Sequence, residues 1–536
     1  MTSHNSVWQN IGRMRTFEVR IPSLGIVPYP RPLQIRWRPM ALGLCLLGLS
    51  GCDGGMLTTL GPEHVMPLSP AAPRWQTPQP QAVIAHGGNP ARLTRWWAQF
   101  DDPELNRFLT SAQRESASVA EARTRIEEAR TGMVGAIAAG LPNLNTQADI
   151  VRAENTFGGP VFEWTRYQVG LQSNWEVDLF GGIARQREAA LRQLEARSGA
   201  WHDARVAVAV EVANAYLGYR HCEAMMQIAE ADAASRQASS RLVDIAGQAG
   251  FRAPSDVALA NASANDGQDI LIRQNGVCER AIKGLVALTG LGEGEVRHRL
   301  TAHAERTARL PSPPPFRISG IPAVVLMQRP DVAAAERQVA EASAAIGVEE
   351  AKRYPKLSLS GNITPTLQSV NGGALYLAHT YQIGPTLSLP IFDAGKRAAD
   401  VEAARARYDA AASRFRASVR TAVKEVEESL VRLQNAQERL PKASAAVTGY
   451  QKSFRATQQL YQIGLGNLIE VESSRRQALI AERTLAELEQ ERVSAWIALY
   501  RAAGGGWNDS VDSPRNDSSL PDEPTQPPEP VVAGRS

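Results

Sequence analysis

The sequence of 536 residues contains no run of 18 consecutive apolar residues, the length at which a stretch becomes a candidate transmembrane helix. Aromatic residues make up only 6% of the chain, which favours closely packed helices over a thick aromatic core. The 58 basic and 55 acidic residues nearly cancel, so the net charge is +3. Because a dedicated nucleic-acid-binding protein needs a concentrated basic surface, we expect no nucleic-acid partner.

Sequence motifs of catalysis are also missing. The chain has eight histidines but no His-Glu-x-x-His pair and no Gly-x-Ser-x-Gly elbow. Its four cysteines, Cys45, Cys52, Cys222 and Cys278, form no Cys/His cluster with zinc spacing. We therefore predict a protein that is not an enzyme, with no catalytic residues, no metal site and no cofactor.

The N-terminal region has the features of an export signal. Three arginines within residues 31–38 precede an apolar run at 40–49 that is too short to span a membrane. The run ends in Leu-Ser-Gly-Cys at residues 49–52, a pattern that resembles a bacterial lipobox. Residues 1–51 are therefore predicted to be a signal region, and Cys52 the lipidated first residue of the mature chain. The alternative is an ordinary signal with an incidental cysteine.

The chain repeats itself after about 213 residues. Residues 141–144 (LPNL) recur as 354–357 (YPKL), and residues 167–170 (YQVG) recur as 381–384 (YQIG). The other anchors are Leu179-Phe180 with Ile391-Phe392, and Gly250, Asp256 and Val257 with Gly464, Glu470 and Val471. Four anchors at nearly one offset predict a duplication that gave the protomer two similar halves.

Each half contains two segments in which apolar and polar residues alternate. The segments are 167–179, 357–367, 381–391 and, more weakly, 144–150. Period-two alternation predicts strands with one apolar and one polar face. The segment lengths suit the roughly 9–11 residues of a tilted transmembrane strand. The alternative is a small soluble sheet with one face on a core.

The number of strands restricts how they can lie in a membrane. Four strands cannot close a barrel, and open strand edges are not tolerated in lipid. Several chains must then share one barrel. Barrels of about eight strands are filled by their own side chains, whereas three chains of four strands each would leave room for an open lumen.

A long helical segment follows the second strand of each half. Residues 183–249 contain no proline, which predicts a helix about 100 Å long. Residues 395–463 form the equivalent segment, in which Pro441 predicts a kink. Each segment ends in a glycine-bearing turn before another helix begins. Apolar residues at heptad spacing predict that each half contains a coiled-coil hairpin.

Two cysteines lie nearly level on opposite sides of the first predicted hairpin. Cys222 precedes the turn by about as many residues as Cys278 follows it. A disulfide fits this placement in an oxidising compartment, unless the two side chains lie on opposed faces. The alternative is a pair of free cysteines that behave as small apolar residues.

Several long blocks, in order along the chain, resemble the outer-membrane factor family, the TolC-like trimeric exit ducts, in its lipoprotein (NodT) branch. The resemblance covers roughly residues 52–507. The blocks are WWAQFDDPELNRFL from Trp96, NWEVDLFGGIARQREAA from Asn174, EVANAYLGYR from Glu211, QRPDVAAAERQVAEASAAIGVEEAKRYPKLSL from Gln328, GPTLSLPIFDAGKRAADVEAARARY from Gly384, LYQIGLGNLIEV from Leu460 and AAGGGW ending at Trp507.

The resemblance implies a mainly α fold with a small β part. Each protomer would contribute long coiled-coil helices to a helical barrel and four transmembrane strands to a twelve-stranded barrel shared by a homotrimer. The duct would sit in the cell outer membrane, in contact with its lipid, and cross the periplasm as a tunnel. Its implied partners are a periplasmic adaptor (membrane fusion protein) and an inner-membrane pump of the proton-driven RND type.

The resemblance also implies roles for residues at the helical tips, where the family's tunnel narrows. The positions that match this periplasmic gate are Asp256, Ile469, Glu470 and Arg476. A commonly acidic position of the family is Ser473 here, which alters the charge ring, and the neighbouring Glu472 is expected to face elsewhere. For any one of these residues the alternative is a solvated coiled-coil side chain.

Two glycines match the family's tip glycines, where adaptor hairpins dock. They are Gly250 and Gly464, and the resemblance implies that both take part in docking. The alternative role for each is simple termination of a helix.

Together with the patterns above, the resemblance predicts six regions along the chain. They are a signal region at 1–51, a lipidated extension at 52–95, a first repeat at 96–310, a Pro-rich equatorial connection at 311–329, a second repeat at 330–507 and a disordered tail at 508–536. The implied function is that of the outer-membrane channel of a tripartite pump, conducting drugs and toxic compounds outward. Its closest rival is an outlet for type I protein secretion, and lower alternatives are a periplasmic adaptor or a structural coiled-coil lipoprotein.

Overall fold

The structure is a computed structural model that describes nine stretches of the chain. They are residues 58–68, 74–77, 84–86, 96–100, 102–155, 161–302, 310, 316–318 and 322–506. The predicted signal region 1–51, Cys52, the tail 508–536 and part of the Pro-rich connection lie outside the described residues.

The first half of the chain supplies three strands and five helices to the described structure. They are β1 (Ile84–His86), α1 (Pro103–Glu115), α2 (Ala117–Ala138), β2 (Asn143–Asn155), β3 (Phe162–Val177), α3 (Gly182–Gln248), α4 (Pro254–Thr289) and α5 (Glu293–Thr301). A short 3-10 helix, Trp96–Phe100, precedes α1.

The second half repeats the main elements of the first in the same order. Its elements are β4 (Phe316–Ile318), α6 (Pro322–Met327), α7 (Pro330–Ala351), β5 (Lys356–Val370), β6 (Tyr376–Ser388), α8 (Lys396–Gln462) and α9 (Leu468–Ala502). Helices α3 and α8 have 67 residues each, α2 and α7 have 22 each, and α4 and α9 have 36 and 35. The predicted two-fold repeat is confirmed.

Both long helices begin at a glycine and run without interruption to the predicted turns. Gly181 and Gly395 cap α3 and α8 in the left-handed conformation, with φ of 71° and 86°, which favours a residue without a Cβ. Helix α8 continues through Pro441. Within the described residues, no helix combines the length and the apolar character needed to cross a membrane.

The four long strands form one antiparallel sheet in the order β2-β3-β5-β6. Pairing of β3 with β5 joins the two halves of the chain, while β2 and β6 are its edges. The β3–β5 register omits two pairs, Val169 with Pro365 and Gly170 with Thr364. Proline has no N–H to give to the ladder, so the interruption falls where Pro365 stands. A separate pair of short strands, β1 and β4, runs parallel.

The register places the predicted apolar residues on one face of the sheet. Tyr167 pairs with Ile150 and Leu367, and Leu367 pairs in turn with Leu377, so four strands contribute to one apolar row. The opposite face is polar, as in the row Gln147, Gly170 and the row Asn145, Gln172, Asn362, Gln382. The predicted alternation is confirmed over the predicted segments.

The strands are longer than the predicted segments. They have 13, 16, 15 and 13 residues, whereas the alternating segments have 7, 13, 11 and 11. Backbone pairing continues beyond the apolar rows, where Arg152 forms an ion pair with Glu163 across β2 and β3. At the other end β6 stops at Ser388, so Ile391 lies beyond the strand.

The core lies where the helices of both halves meet. Helix α7 packs between α3 and α8, and α3 also packs against α2, α4 and α9. The ring of Trp96 stacks on Trp496 with centroids 3.9 Å apart, and Phe100 meets Trp496 edge-on at 4.8 Å. The buried Tyr216 hydroxyl donates to Asp102 Oδ2 at 2.5 Å. Burial raises the pKa of Tyr216, so its phenol stays neutral and keeps its proton for this bond.

Residues 58–68, which we call the strap, lie against the helices next to the sheet. The Leu60 N–H donates to the Phe180 carbonyl at 3.2 Å, and Arg185 Nε donates to the Leu60 carbonyl at 3.0 Å. A Cβ on Gly61 would lie only 2.4 Å from the Cα of Gly347, so the strap approaches α7 as closely as a backbone can. The sequence interpretation did not predict this strap.

The predicted alternatives for the two hairpin cysteines are decided by the structure. Cys222 and Cys278 form a disulfide between α3 and α4, with Cα atoms 5.5 Å apart. Gln274, one turn before Cys278, donates to the Cys222 carbonyl at 3.3 Å. The two halves of the first hairpin are therefore joined covalently part-way along their length.

Loss of this bond is expected to destabilise the fold. The bond closes a loop with a sequence separation of 56, for which chain-entropy arguments give about 4 kcal/mol. A variant with Cys222→Ala and Cys278→Ala should melt at a lower temperature by far-ultraviolet circular dichroism. Reductant should lower the wild-type midpoint to the same value and leave the variant unchanged. Equal midpoints for oxidised wild type and variant would contradict the expectation.

Candidate functional site at the helical tips

The two hairpin tips are built in the same way. Helix α3 ends at Gln248 and the chain turns at Gly250, with φ of 79°, before Pro254 starts α4. In the second half Gly464, with φ of 81°, follows α8. Both matched glycines occupy left-handed positions that side chains rarely adopt, which supports the alternative that they are helix terminators.

The two tips pack against each other within one chain. Val243, Ala260 and Leu468 form a small buried apolar cluster against which Val257 and Tyr461 pack. This cluster joins α3 and α4 to α9, and it is separate from the main core.

Tyr461 of the second tip also contacts an arginine of the first tip. The Arg252 guanidinium lies 4.5 Å from the centroid of its ring, a cation–π contact. Burial raises the pKa of Tyr461 above its usual value, so the phenol is neutral at physiological pH. The contact therefore joins a charged guanidinium to a neutral ring and fixes the second tip on the first.

Apolar side chains at the outer ends of both tips are exposed to solvent. Phe251 is 82% exposed beside Gly250, and Leu465 is 74% exposed beside Gly464. Ile463 is exposed as well. Three large apolar side chains at two adjacent turns form a surface suited to contact with another protein.

Three of the four predicted gate residues lie together at the start of α9. Ile469 and Arg476 are seven residues apart, so they share one face of the helix, and both are exposed. Ser473 lies between them on the same face. Glu470 is exposed in the first turn, where its N–H donates to Asn467 Oδ1 at 2.8 Å.

The fourth predicted gate residue lies apart from this face. Asp256 is half-buried in the first turn of α4. It lies close enough to Tyr461 for its carboxylate to help raise the pKa of that phenol. Among the described residues, no hydrogen bond or ion pair joins Asp256 to Ile469, Glu470 or Arg476. One chain alone therefore does not assemble the four residues into a single cluster.

A buried polar network behind the exposed face of α9 joins the second hairpin to the first. Glu472 accepts a hydrogen bond from the Ser263 hydroxyl at 2.7 Å and forms an ion pair with Arg475. Arg475 is only 3% exposed, and it donates to Ser239 Oγ at 2.8 Å. Its guanidinium lies 5.4 Å from the Phe454 ring centroid. Glu472 therefore faces away from the exposed side chains of Ile469, Ser473 and Arg476, as expected.

The network continues inside the first hairpin. Arg236 forms an ion pair with Asp232 at 2.8 Å and donates to Ser263 Oγ at 3.1 Å. Nearer the tip, the Ser240 hydroxyl donates to Asn261 Oδ1 at 2.6 Å. Ser263 thus receives a hydrogen bond from one hairpin and gives one to the other, so the two hairpins share a register.

Sequence reasoning missed these buried charges. Arg236 and Arg475 are both buried, and no pattern in the sequence analysis predicted their burial. The spacing of Asp232 and Arg236 by four residues was a usable signal of an ion pair. Nothing in the sequence marked Arg475 as different from the adjacent, exposed Arg476.

Comparison with known proteins agrees with the repeat and with the paired hairpins. A family model described as outer membrane efflux protein matches residues 108–291 and residues 321–505, one match in each half. The chain belongs to the outer membrane efflux protein family. The predicted family and the predicted mainly α fold with a small sheet are both confirmed.

Relatives in this family match over nearly their whole length. Nodulation protein T of Rhizobium leguminosarum bv. viciae is 28% identical over 491 residues, which are 90% of this chain and 96% of that protein. The solvent efflux pump outer membrane protein SrpC of Pseudomonas putida is 27% identical over 474 residues, 86% of this chain and 97% of SrpC. The outer-membrane channel OprN superposes with a TM-score of 0.75 at 26% identity, over 84% of this chain and 99% of OprN.

Removal of the buried arginine is expected to loosen the two hairpins of this efflux protein. Arg475→Met deletes the donor to Ser239 and leaves Glu472 without its ion-pair partner, which should cost about 2 kcal/mol. The matched control Arg476→Met changes an exposed arginine and should alter stability by no more than about 0.5 kcal/mol. Thermal unfolding by circular dichroism should separate the two variants. Identical midpoints would show that the network contributes nothing to stability.

Proposed function

We propose that this chain is the outer-membrane channel of a tripartite efflux pump, passively conducting small molecules from an inner-membrane transporter and a periplasmic adaptor to the exterior. The observation that carries the proposal is the sheet. Four long strands present one apolar and one polar face, and neither edge strand has a partner strand in the part of the chain that the structure describes. An apolar face suits lipid, and a polar face suits a water-filled lumen.

The open edges support a closed assembly of three copies. Unpaired backbone N–H and C=O groups are costly in hydrocarbon, so β2 and β6 need partner strands. If β6 of one copy pairs with β2 of the next, three copies close a twelve-stranded barrel. Such a barrel is wide enough to leave a lumen.

The long helices support a tunnel that continues this lumen. Helices of 67 residues extend about 100 Å, far beyond the needs of an ordinary globular domain. Both begin immediately after the sheet, so the helical part leads away from the same end of the strands. In the proposed assembly six such helices surround one periplasmic passage.

The tips support the proposed gate and docking roles. In a closed ring of three chains, the exposed face carrying Ile469, Glu470 and Arg476 would recur three times around the axis. Rings of charged and apolar side chains select ions in a narrow pore. Asp256 would contribute from the first hairpin. The bare apolar turns beside Gly250 and Gly464 would receive the adaptor.

The strap supports lipidation at Cys52. Thr59 packs against Gly181, at the junction between the sheet and the long helices, where the surface of the membrane would lie. Cys52 is seven residues earlier in the sequence, and an extended chain covers at most about 3.6 Å per residue. A lipid on Cys52 would therefore enter the membrane without displacing the strap.

The cargo belongs to the broad class of small toxic compounds. Relatives are named for nodulation, for solvent efflux, for toluene efflux and for pyoverdine export, so one duct architecture serves different cargoes. The inner-membrane partner proposed for this chain is a proton-driven pump of the RND type.

Lipidation is tested by the mass of the mature N-terminus. Wild-type protein should carry a diacylglyceryl and an acyl group on Cys52, and Cys52→Ser should lose both. Cys45→Ser, within the predicted signal, is the matched control and should leave the lipid in place. Mass spectrometry of the N-terminal peptide gives the readout. A lipid-free wild-type Cys52, or a lipid retained in Cys52→Ser, would contradict the proposal.

Channel function is tested by reconstitution in planar bilayers. The purified protein should run as a trimer by native mass spectrometry and give discrete conductance steps. Glu470→Gln should shift the reversal potential in a salt gradient toward anions, because three carboxylates leave the narrowest part of the pore.

The control for this experiment is an acidic residue away from the tips. Asp269→Asn changes an exposed carboxylate on α4 that already forms an ion pair with Arg273, and it should leave the reversal potential unchanged. A monomer without conductance would overturn the channel. Conductance that is insensitive to Glu470→Gln would overturn only the position of the gate.

A further inference from the structure

The inference rests on the proposed trimer and concerns the residues that hold neighbouring copies together below the sheet. It starts from a contact that the chain makes with itself. The β3–α3 linker, residues 178–181, packs against the α7–β5 turn, residues 352–355, of the second half. The ring of Phe180 lies 4.9 Å from the ring of Tyr354 by centroid distance. A shallow cavity beside this contact is lined by Ile183 and Ala351, among others.

Among the described residues, the equivalent linker of the second half makes no such ring contact. The β6–α8 linker, residues 389–395, carries Ile391 and Phe392 where the first half has Leu179 and Phe180. Ile391 is 93% exposed and Phe392 is 89% exposed. Two adjacent large apolar side chains that are this exposed to solvent indicate a surface that contacts a partner.

The apolar side chain of the equivalent receiving turn is also exposed, although the Gly140 carbonyl of this turn accepts a hydrogen bond from Trp175 Nε1 at 3.0 Å. The α2–β2 turn, residues 139–142, corresponds to the α7–β5 turn at an offset of 213, and Leu141 stands where Tyr354 stands in the second half. Leu141 is 60% exposed. Helix α2, just before it, packs on α3 and leaves Val134 and Ile137 exposed, whereas its equivalent α7 packs on both α3 and α8.

The linker and the turn lie at opposite open sides of one chain. Along the sheet the order is β2-β3-β5-β6, so the α2–β2 turn belongs to the first edge strand and the β6–α8 linker to the last. We propose that the β6–α8 linker of one copy docks on the α2–β2 turn of a second copy, with Phe392 seated beside Leu141. The docking repeats between copies the contact of Phe180 with Tyr354 inside one copy.

The occupant is a second copy because the chain itself supplies both halves of the contact. In the second half two additional residues separate the aromatic side chain from the capping glycine, since Phe392 precedes Gly395 by three residues while Phe180 directly precedes Gly181. The extra residues, Asp393 and Ala394, extend the reach of the aromatic ring. Asp393 accepts hydrogen bonds from the backbone N–H groups of Gly395 and Arg397, which gives the longer linker a defined shape.

Cysteine cross-linking of the full chain tests the contact directly. A variant with Phe392→Cys and Leu141→Cys should form covalent dimers and trimers under mild oxidation or with a short bis-maleimide. The matched variant with Phe180→Cys and Tyr354→Cys should cross-link within one chain and keep the mobility of a monomer in denaturing gels. Each single variant should give no covalent oligomer at these positions.

A second measurement depends on the apolar contact alone. Ile391→Ser with Phe392→Ser should raise the dissociation constant of the trimer about tenfold or more, as burial of two large apolar side chains is lost. Leu68→Ser, an equally exposed apolar residue at the end of the strap, should leave trimer dissociation unchanged. Both are read by native mass spectrometry over a dilution series.

The outcomes separate this inference from the proposed function. Wild-type protein that is monomeric at all concentrations would overturn the channel and the docking together. A wild-type trimer that shows neither the Phe392–Leu141 cross-link nor weakening by the double serine variant would overturn the docking alone. Cross-linking with weakening supports it.

Discussion

The unpaired edges of the four-stranded sheet are the constraint on which the rest of this structure depends. Among the described residues, strands β2 and β6 each leave a row of backbone donors and acceptors without a partner strand. The same sheet has an apolar face on which Ile150, Ile363 and Ile383 are exposed. Both features are unfavourable for an isolated molecule in water, and pairing between copies in a membrane satisfies both. One chain therefore forms one segment of a larger sheet that several copies complete.

Duplication explains why the two halves of the chain have the same elements. Divergence after duplication explains why the two hairpins differ in their covalent and exposed features. The long helices have equal length, but only the first hairpin carries a disulfide. At the offset of 214, the positions of Cys222 and Cys278 are held by Ala436 and Arg492. The first hairpin is thus held covalently, while the second carries the exposed face with Ile469 and is free of such a bond.

Polar contacts between the hairpins provide register where apolar packing is thin. The apolar cluster near the tips contains only three buried residues, so it fixes the relative position of the hairpins weakly. Hydrogen bonds to Ser263 and Ser239 add directional contacts that apolar side chains do not supply. Because Arg475 and Glu472 lie away from water, displacement of either hairpin would leave a poorly solvated charge. The tips therefore have a preferred arrangement within one chain.

Local patterns in the sequence were sufficient for most of the fold. The proline-free segment 183–249 predicted α3 to within one residue at each end, because helix length depends on near neighbours and on breakers. Alternation predicted the strands and the face on which each side chain lies, since the period of two is a local property. It did not predict strand length, because backbone pairing extended past the apolar residues to polar ones such as Arg152 and Glu163.

The sequence by itself determined the repeat, the order of helices and strands, the hairpins and the two faces of the sheet. Only the tertiary structure decided which side chains meet. Cys222 and Cys278 were level in the sequence, but their bond required facing sides of two helices. Arg475 and Arg476 are neighbours of the same type, and a rotation of about 100° per residue around the helix buries one and exposes the other. Such contacts depend on how distant segments pack, which no local pattern records.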